Sequence, residues 1–146
     1  MVNNRNISLY DRGAPPTCPD GPRKIEGGPL YPPAQVLEIL EAGEDRVNLW
    51  TKKCIKDVKH KLEIELDEVA ELVADAVKNG RYKGSEWCQQ KPNGCWAASD
   101  AYVLTRKEWN ERAFKYLAVE YFVKFAIAKT GRLVLVVSCH PPENRG

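Results

Sequence analysis

Phe114-Lys-Tyr-Leu-Ala-Val-Glu-Tyr-Phe-Val-Lys-Phe-Ala-Ile-Ala128 places Leu117, Val119, Tyr121, Val123, Phe125 and Ile127 all at odd positions. A period of two over that length is the mark of a β-strand with one face in a core. Lys129-Thr130-Gly131 follows, and then a second apolar run, Leu133 to Cys139. Two such runs joined by a short glycine-containing link predict a β-hairpin.

The register of that hairpin can be argued from the turn. A two-residue turn at Thr130-Gly131 pairs Lys129 with Arg132 and sets odd positions opposite even ones. A three-residue loop with Gly131 in the left-handed region pairs Ala128 with Arg132 instead. Only the second register puts Leu133, Leu135, Val137 and Cys139 on the apolar face of the first strand. It gathers Glu120, Phe122 and Lys124 with Val136, Ser138 and His140 on the other face, and sets Glu120 directly across from His140.

Working outward, residues 95 to 104 (Cys-Trp-Ala-Ala-Ser-Asp-Ala-Tyr-Val-Leu) read as a further strand, and the period moves toward two from Gly80 onward. Upstream the period is that of helices. Val36, Leu37, Ile39 and Leu40 form an apolar face that Gly43 should stop. Thr51 to His60 places Cys54, Ile55 and Val58 on one side. Leu66, Val69, Ala70, Val73, Ala76 and Val77 recur at helical spacing, with Asp67 as the expected cap and Asn79-Gly80 as the end. Residues 1–33 hold seven of the ten prolines and four of the ten glycines. Proline fixes φ and removes a donor, so this segment is expected to be irregular and its first 20 residues to add little stability. The prediction is an α+β chain: three N-terminal helices packed on one face of a C-terminal antiparallel sheet, in one domain spanning 34–146.

At 146 residues, 43% hydrophobic and 29% charged, the chain has the composition of one globular domain. No apolar run has the roughly 18 residues of a membrane span, and the N-terminus lacks the apolar core of a secretory signal, so a cytoplasmic location is expected. Five cysteines, an odd number, read as reduced thiols. Cys88, Cys95, Cys139 and His140 could be assembled into a zinc site, but their spacing is not that of a zinc ribbon or finger. Charge is unevenly spread: residues 26–77 carry six Lys/Arg against twelve Asp/Glu, and residues 78–132 carry eleven against five. That asymmetry suggests a half facing a polyanion and a half supporting it, although two solvated faces would look the same.

A sheet face bearing His, Glu, Lys and aromatic rings suits RNA cleavage without a metal or cofactor. Such a reaction needs a base for the ribose 2′-OH, a cation for the phosphorane and an acid for the leaving oxygen. His140 is the natural proton carrier, because histidine ordinarily titrates near neutrality. Glu120 could orient it, and Lys124, Lys83 and Arg81 could hold phosphate. Phe122, Tyr121 and Trp87 could stack on unpaired bases. Each has a plainer reading: a structural histidine, a diagonal Glu120–Lys124 surface pair, and core aromatics.

From Val36 to His140 the chain resembles the MqsR family of mRNA interferase toxins. Val36-Leu-Glu-Ile-Leu-Glu-Ala-Gly is similar to the family's opening helix, and Arg81-Tyr-Lys-Gly-Ser to its Phe-Tyr-Lys-Ser segment. Ser99-Asp-Ala-Tyr102 resembles Trp-Gln-Asp-Val-Tyr. Tyr121-Phe-Val-Lys-Phe and Val136-Val-Ser-Cys-His140 resemble the two closing strands. The resemblance implies a RelE-like fold, cleavage of single-stranded mRNA, and neutralisation by a cognate antitoxin. Of the family's proposed catalytic lysine, glutamine, tyrosine and final lysine, Lys83 matches the first. Ser99, Phe122 (with Tyr121 beside it) and His140 stand at the other three. Two rival readings stay open: a non-catalytic RNA- or partner-binding protein on the same fold, and an unrelated zinc-binding α+β protein.

Overall fold

The computed structural model describes residues 5–18 and 20–141; residues 1–4 and 19 of the proline-rich segment and 142–146 of the expected domain lie outside the described residues. The helical periods become three helices. α1 (Pro33–Glu41) starts on Pro32-Pro33 and buries Val36, Ile39 and Leu40, and Gly43 then turns the chain at a φ of 130°. α2 (Lys52–Lys56) is capped by the Thr51 hydroxyl, which accepts from the Cys54 N–H at 3.0 Å, and runs on as a π-helical stretch, Asp57–Leu62. α3 (Leu66–Asn79) is capped by Glu65 rather than Asp67. Glu65 and Glu68 form a reciprocal capping box that satisfies two N–H groups at once. Its inner face is Val69, Leu72, Val73, Ala76 and Val77, and each such side chain stabilises the fold by roughly 1–3 kcal/mol on burial.

The sheet departs from expectation. It has six strands in the order β1-β3-β4-β5-β6-β2. These are β1 (Lys24–Ile25), β2 (Val47–Leu49), β3 (Arg81–Gln89), β4 (Trp96–Asn110), β5 (Lys115–Ile127) and β6 (Val134–His140). The expected arrangement, three N-terminal helices on a C-terminal antiparallel sheet, is therefore wrong in two respects. β1 precedes every helix and β2 lies between α1 and α2, and β2 pairs parallel to β6, so the sheet is mixed. Two- and three-residue strands have no room to show a period of two, and their pairing partners lie far away in sequence.

The β5–β6 register is also corrected. Gly131 does take a positive φ, 73°, but the ladder closes with the Ala128 N–H donating to Leu133 O. Ile127 therefore faces Val134 and Phe125 faces Val136. Val137 then bulges, and beyond it Lys124 faces Ser138, Val123 faces Cys139 and Phe122 faces His140. A bulge inserts one residue on one strand and shifts every later pair. Glu120 consequently lies opposite Thr105 of β4, not opposite His140.

Arg106 of β4 reaches Asp75 of α3 at 3.7 Å, which identifies the helix-bearing face of the sheet. By alternation Tyr102, Leu104, Tyr121, Val123 and Cys139 share that face, and Phe122, Lys124, Ser138 and His140 stand on the opposite one. The proline-rich segment is mostly irregular, yet part of it is built in. The Ile7 N–H donates to Trp96 O (2.9 Å), the Leu9 N–H to Ile127 O (2.8 Å) and the Lys129 N–H to Ile7 O (3.0 Å). Ser8 is buried and its hydroxyl accepts from the Ala98 N–H. These residues bridge β4 and the end of β5 beyond their last ladder pair. Farther on, Asp100 receives the N–H groups of Leu30 and Tyr31 at 3.0–3.1 Å and the Ser85 hydroxyl at 2.6 Å. Gly28 lies against Tyr82 and Ser85 so closely that a side chain there would collide with both hydroxyls.

Candidate nucleic-acid interface

The sheet curls so that its two edges approach. Gln90, in the β3–β4 turn, donates through Nε2 to Trp50 O at 2.8 Å, just past β2 at the far edge. Between these parts lies a cleft of about 830 Å³ lined by Arg23, Lys52, Lys53, Lys91, the Thr51 and Ser138 hydroxyls, and the Gln89, Gln90 and Asn93 amides. Among the described residues no carboxylate lines it. Lys53 is engaged by Asp57 at 2.8 Å.

A second hollow, of about 340 Å³, lies on the face opposite the helices. Lys24, Lys83, Gly84, Glu86, Phe122 and Lys124 contribute to it. Lys83 is aimed there by a bulge: Tyr82 pairs with Tyr102 and Gly84 with Ala101, so Lys83 has no ladder partner. Gly84, at a φ of 139°, supplies a conformation that a side chain would strain. Ser138 lines the first hollow and its ladder partner Lys124 lines the second, which makes them adjoining stretches of one surface. Among the described residues they together hold seven Lys/Arg against one carboxylate, Glu86, which is ion-paired with Lys124.

His140 stands beside this surface. Its ring stacks on Phe122 with centroids 5.1 Å apart and planes 22° apart, and Lys124 Nζ lies 5.7 Å from the same phenyl ring. His140 Nδ1 is 2.6 Å from Pro141 O. A carbonyl can only accept, so Nδ1 carries the proton of the neutral ring and Nε2 is the basic nitrogen. Asp57 lies near enough to respond to His140. Burial works to raise its carboxyl, but the Lys53 ammonium, then Lys61 and His140, hold it below the usual carboxylate range.

The expected site is thus partly assembled. Lys83, Lys124, Phe122 and His140 come together on one face. Arg81 is exposed on the same face opposite Val103, outside both hollows. Glu120 is exposed and removed from His140 by the register shift. Trp87 is no base platform: it is buried and makes an edge contact with Tyr10, centroids 5.8 Å apart. Ser99 is buried, its hydroxyl donating to Ala97 O. Tyr121 faces the helices, where it donates to Glu108 Oε2 at 2.6 Å beneath the Arg106 guanidinium. Burial pushes the Cys54 and Cys139 thiols up to about 12, and among the described residues no group of three or more His, Cys, Asp or Glu is placed to hold a metal.

Arg23, Lys24, Lys52, Lys53 and Lys91 were not legible as site residues. The charge division of the sequence placed the polyanion-facing half at 78–132, whereas the two hollows draw four of their seven cations from residues 23–53. The β1–β3 pairing and the Gln90–Trp50 closure bring them in, and neither leaves a local signal. Among the described residues no helix is long and apolar enough to cross a membrane. Comparison with protein-family models, curated proteins and solved structures returns no significant match to this chain.

Proposed function

We propose that the protein is a metal-independent endoribonuclease of the MqsR toxin kind, which binds single-stranded mRNA along the basic cleft and transfers protons through His140. One observation carries the reading: the His140 imidazole, stacked on Phe122 with Lys124 alongside, adjoins a surface with seven cations and one carboxylate among the described residues. Density of that sign suits a phosphate backbone. In this reading Nε2 of His140 takes the 2′-OH proton and returns it to the leaving 5′ oxygen, and Lys83 and Lys124 stabilise the charge that develops on phosphate. A protein partner, the cognate antitoxin, would neutralise it.

Incubation of the pure protein with defined RNA and a chelator tests this. The expected products carry a 2′,3′-cyclic phosphate and a 5′-hydroxyl, because the attacking group is the ribose oxygen. His140→Ala should lower cleavage by roughly two to four orders of magnitude and leave RNA affinity nearly unchanged. Full activity in that variant, or cleavage that stops with chelator, overturns the mechanism. A second reading, a non-catalytic RNA-binding protein, is favoured by the 9% exposure of His140 and the removal of Glu120 from its side. RNA bound but never cut by the wild type would select it.

A further inference from the structure

β3 pairs with β4 only as far as Val103, and β6 pairs with β5 only from Phe122 onward. Beyond these points no other strand among the described residues pairs with β4 and β5, which continue as a two-stranded ribbon, Thr105–Asn110 against Lys115–Glu120. Its tip carries three of the four exposed large hydrophobic residues among those described: Trp109 at 43%, Tyr116 at 67% and Phe114 at 77%. The rings form a cluster, Trp109 lying 5.1 Å from Phe114 and 5.3 Å from Tyr116 between centroids, at 70° and 71°.

Phe114 has a φ of 55°, the left-handed region that disfavours bulky side chains. The turn holds it there: its N–H donates to Asn110 O at 2.8 Å, and the Ala113 N–H to Asn110 Oδ1 at 2.8 Å. A position suited to glycine thus projects an aromatic ring into solvent. Strain of this kind concentrates at functional sites.

The ribbon shares a face with the cleft. The ladder pairs Val103–Phe122, Thr105–Glu120, Lys107–Ala118 and Trp109–Tyr116 all point the same way. Six residues separate Phe122 from Tyr116, a path of about 20 Å along the strand. Lys107 stands on that face beside Trp109, and Arg112 is exposed at the tip, with Glu111 in the turn and Glu120 nearer the cleft; Lys115, paired with Asn110, stands on the other face.

We propose that this ribbon is a second contact for the same single-stranded RNA, its rings stacking on bases that flank the segment in the cleft while Lys107 and Arg112 meet the phosphates. The inference rests on the RNA-binding reading above and extends it to the length of strand engaged. Rings interleaved with cations, continuous with a basic cleft, fit a nucleic acid better than an apolar protein groove.

Fluorescence anisotropy with 2′-O-methyl oligonucleotides, which lack the attacking hydroxyl, separates the two contacts. One should be about 4 nucleotides and one about 12, the range of sites built on stacking platforms. Wild-type protein should bind the longer strand more tightly. Phe114→Gly combined with Tyr116→Ala should lower that affinity about tenfold or more and leave the short strand's unchanged. Glycine accepts the φ of residue 114, so an unchanged melting curve is expected to show that the fold survives. Trp109 emission should be quenched by the longer strand alone, with Trp109→Phe assigning the signal. Equal affinities of the double variant and wild type for the longer strand overturn the proposal, as does loss of a protein partner from the variant with RNA binding intact. In those cases short-strand binding that is sensitive to Lys83→Ala leaves the cleft reading standing. A wild type that binds neither strand overturns both.

Discussion

Phe122, not Glu120, is the residue that faces His140 across the β5–β6 ladder, and the two rings are stacked. A turn one residue longer than expected and the Val137 bulge together cause this, and they replace an acidic neighbour by an aromatic one. The imidazole is held by a ring stack of the kind worth roughly 0.5–1.5 kcal/mol beyond its buried area. Phe122→Leu should therefore loosen His140 and slow cleavage by about tenfold or less, an effect of that energy. Phe122→Tyr should restore the rate. Single-turnover cleavage by the two variants checks this; equal rates in Phe122→Leu and wild type would show that the stack does not position the histidine.

The cleft cations should reveal themselves in salt dependence. Each lysine or arginine that neutralises a phosphate on a single strand contributes about 0.7 to the slope of log affinity against log salt. Lys83→Ala, Lys91→Ala and Arg23→Ala should each lower the slope by about that amount, whereas Glu120→Gln should leave it nearly unchanged because Glu120 lies outside both hollows. Titrations at several salt concentrations measure it.

Deleting residues 1–20 should destabilise the fold, contrary to the expectation from composition. The deletion removes the backbone bonds from Ile7 and Leu9 to the ends of β4 and β5, and the buried Ser8 that satisfies the Ala98 N–H. With each net hydrogen bond worth about 1 kcal/mol, a fall in melting temperature of more than about 8 °C is expected. An unchanged Tm would mean the segment merely rests on the surface.

Asp100 anchors the second part of that segment. Asp100→Ala leaves the buried Leu30 and Tyr31 N–H groups without their acceptor and should cost about 3 kcal/mol. Asp100→Asn should cost less: its carbonyl oxygen can keep both N–H groups while its NH₂ donates to Ser85. Urea unfolding of the two variants gives the comparison, and equal losses would indicate that volume rather than acceptance matters.

Two buried carboxylates should give stability opposite dependences on pH. Burial tends to raise Asp57, but Lys53, Lys61 and His140 outweigh it, so the folded state binds the proton less readily than the unfolded chain. Its contribution is complete above the usual carboxylate range of about 4 and is lost as pH falls through the lowered folded value. Asp100 is raised by burial, which outweighs the hydrogen bonds from Ser85, Leu30 and Tyr31. Its contribution is complete below that range and is lost as pH rises through the raised folded value. Urea midpoints measured from about pH 3 to pH 7 should show a weakened acid loss in Asp57→Asn and the reverse change in Asp100→Asn.

The amino-acid sequence determined by itself those features that rest on neighbouring residues. The strict alternation of β5, the helical period of α3 and the left-handed Gly131 follow from local geometry, which any partner must accept. Phe122, Lys124 and His140 were legible as one face, whereas Lys83 is turned to it by the β3 bulge. Tertiary structure alone decided the rest. The longer turn and the Val137 bulge depend on how β6 meets β5, and one extra residue at each exchanges Glu120 for Phe122 beside His140. Trp87 and Ser99 became interior because β3 and β4 are wrapped by the N-terminal segment and α3, a burial no single strand encodes, whereas Tyr121 faces the helices as the alternation of β5 predicts. The cleft gathers Arg23, Lys52 and Lys91 from segments far apart in the chain. β1 and β2 are too short to carry a period, so only the closed sheet could bring those charges together.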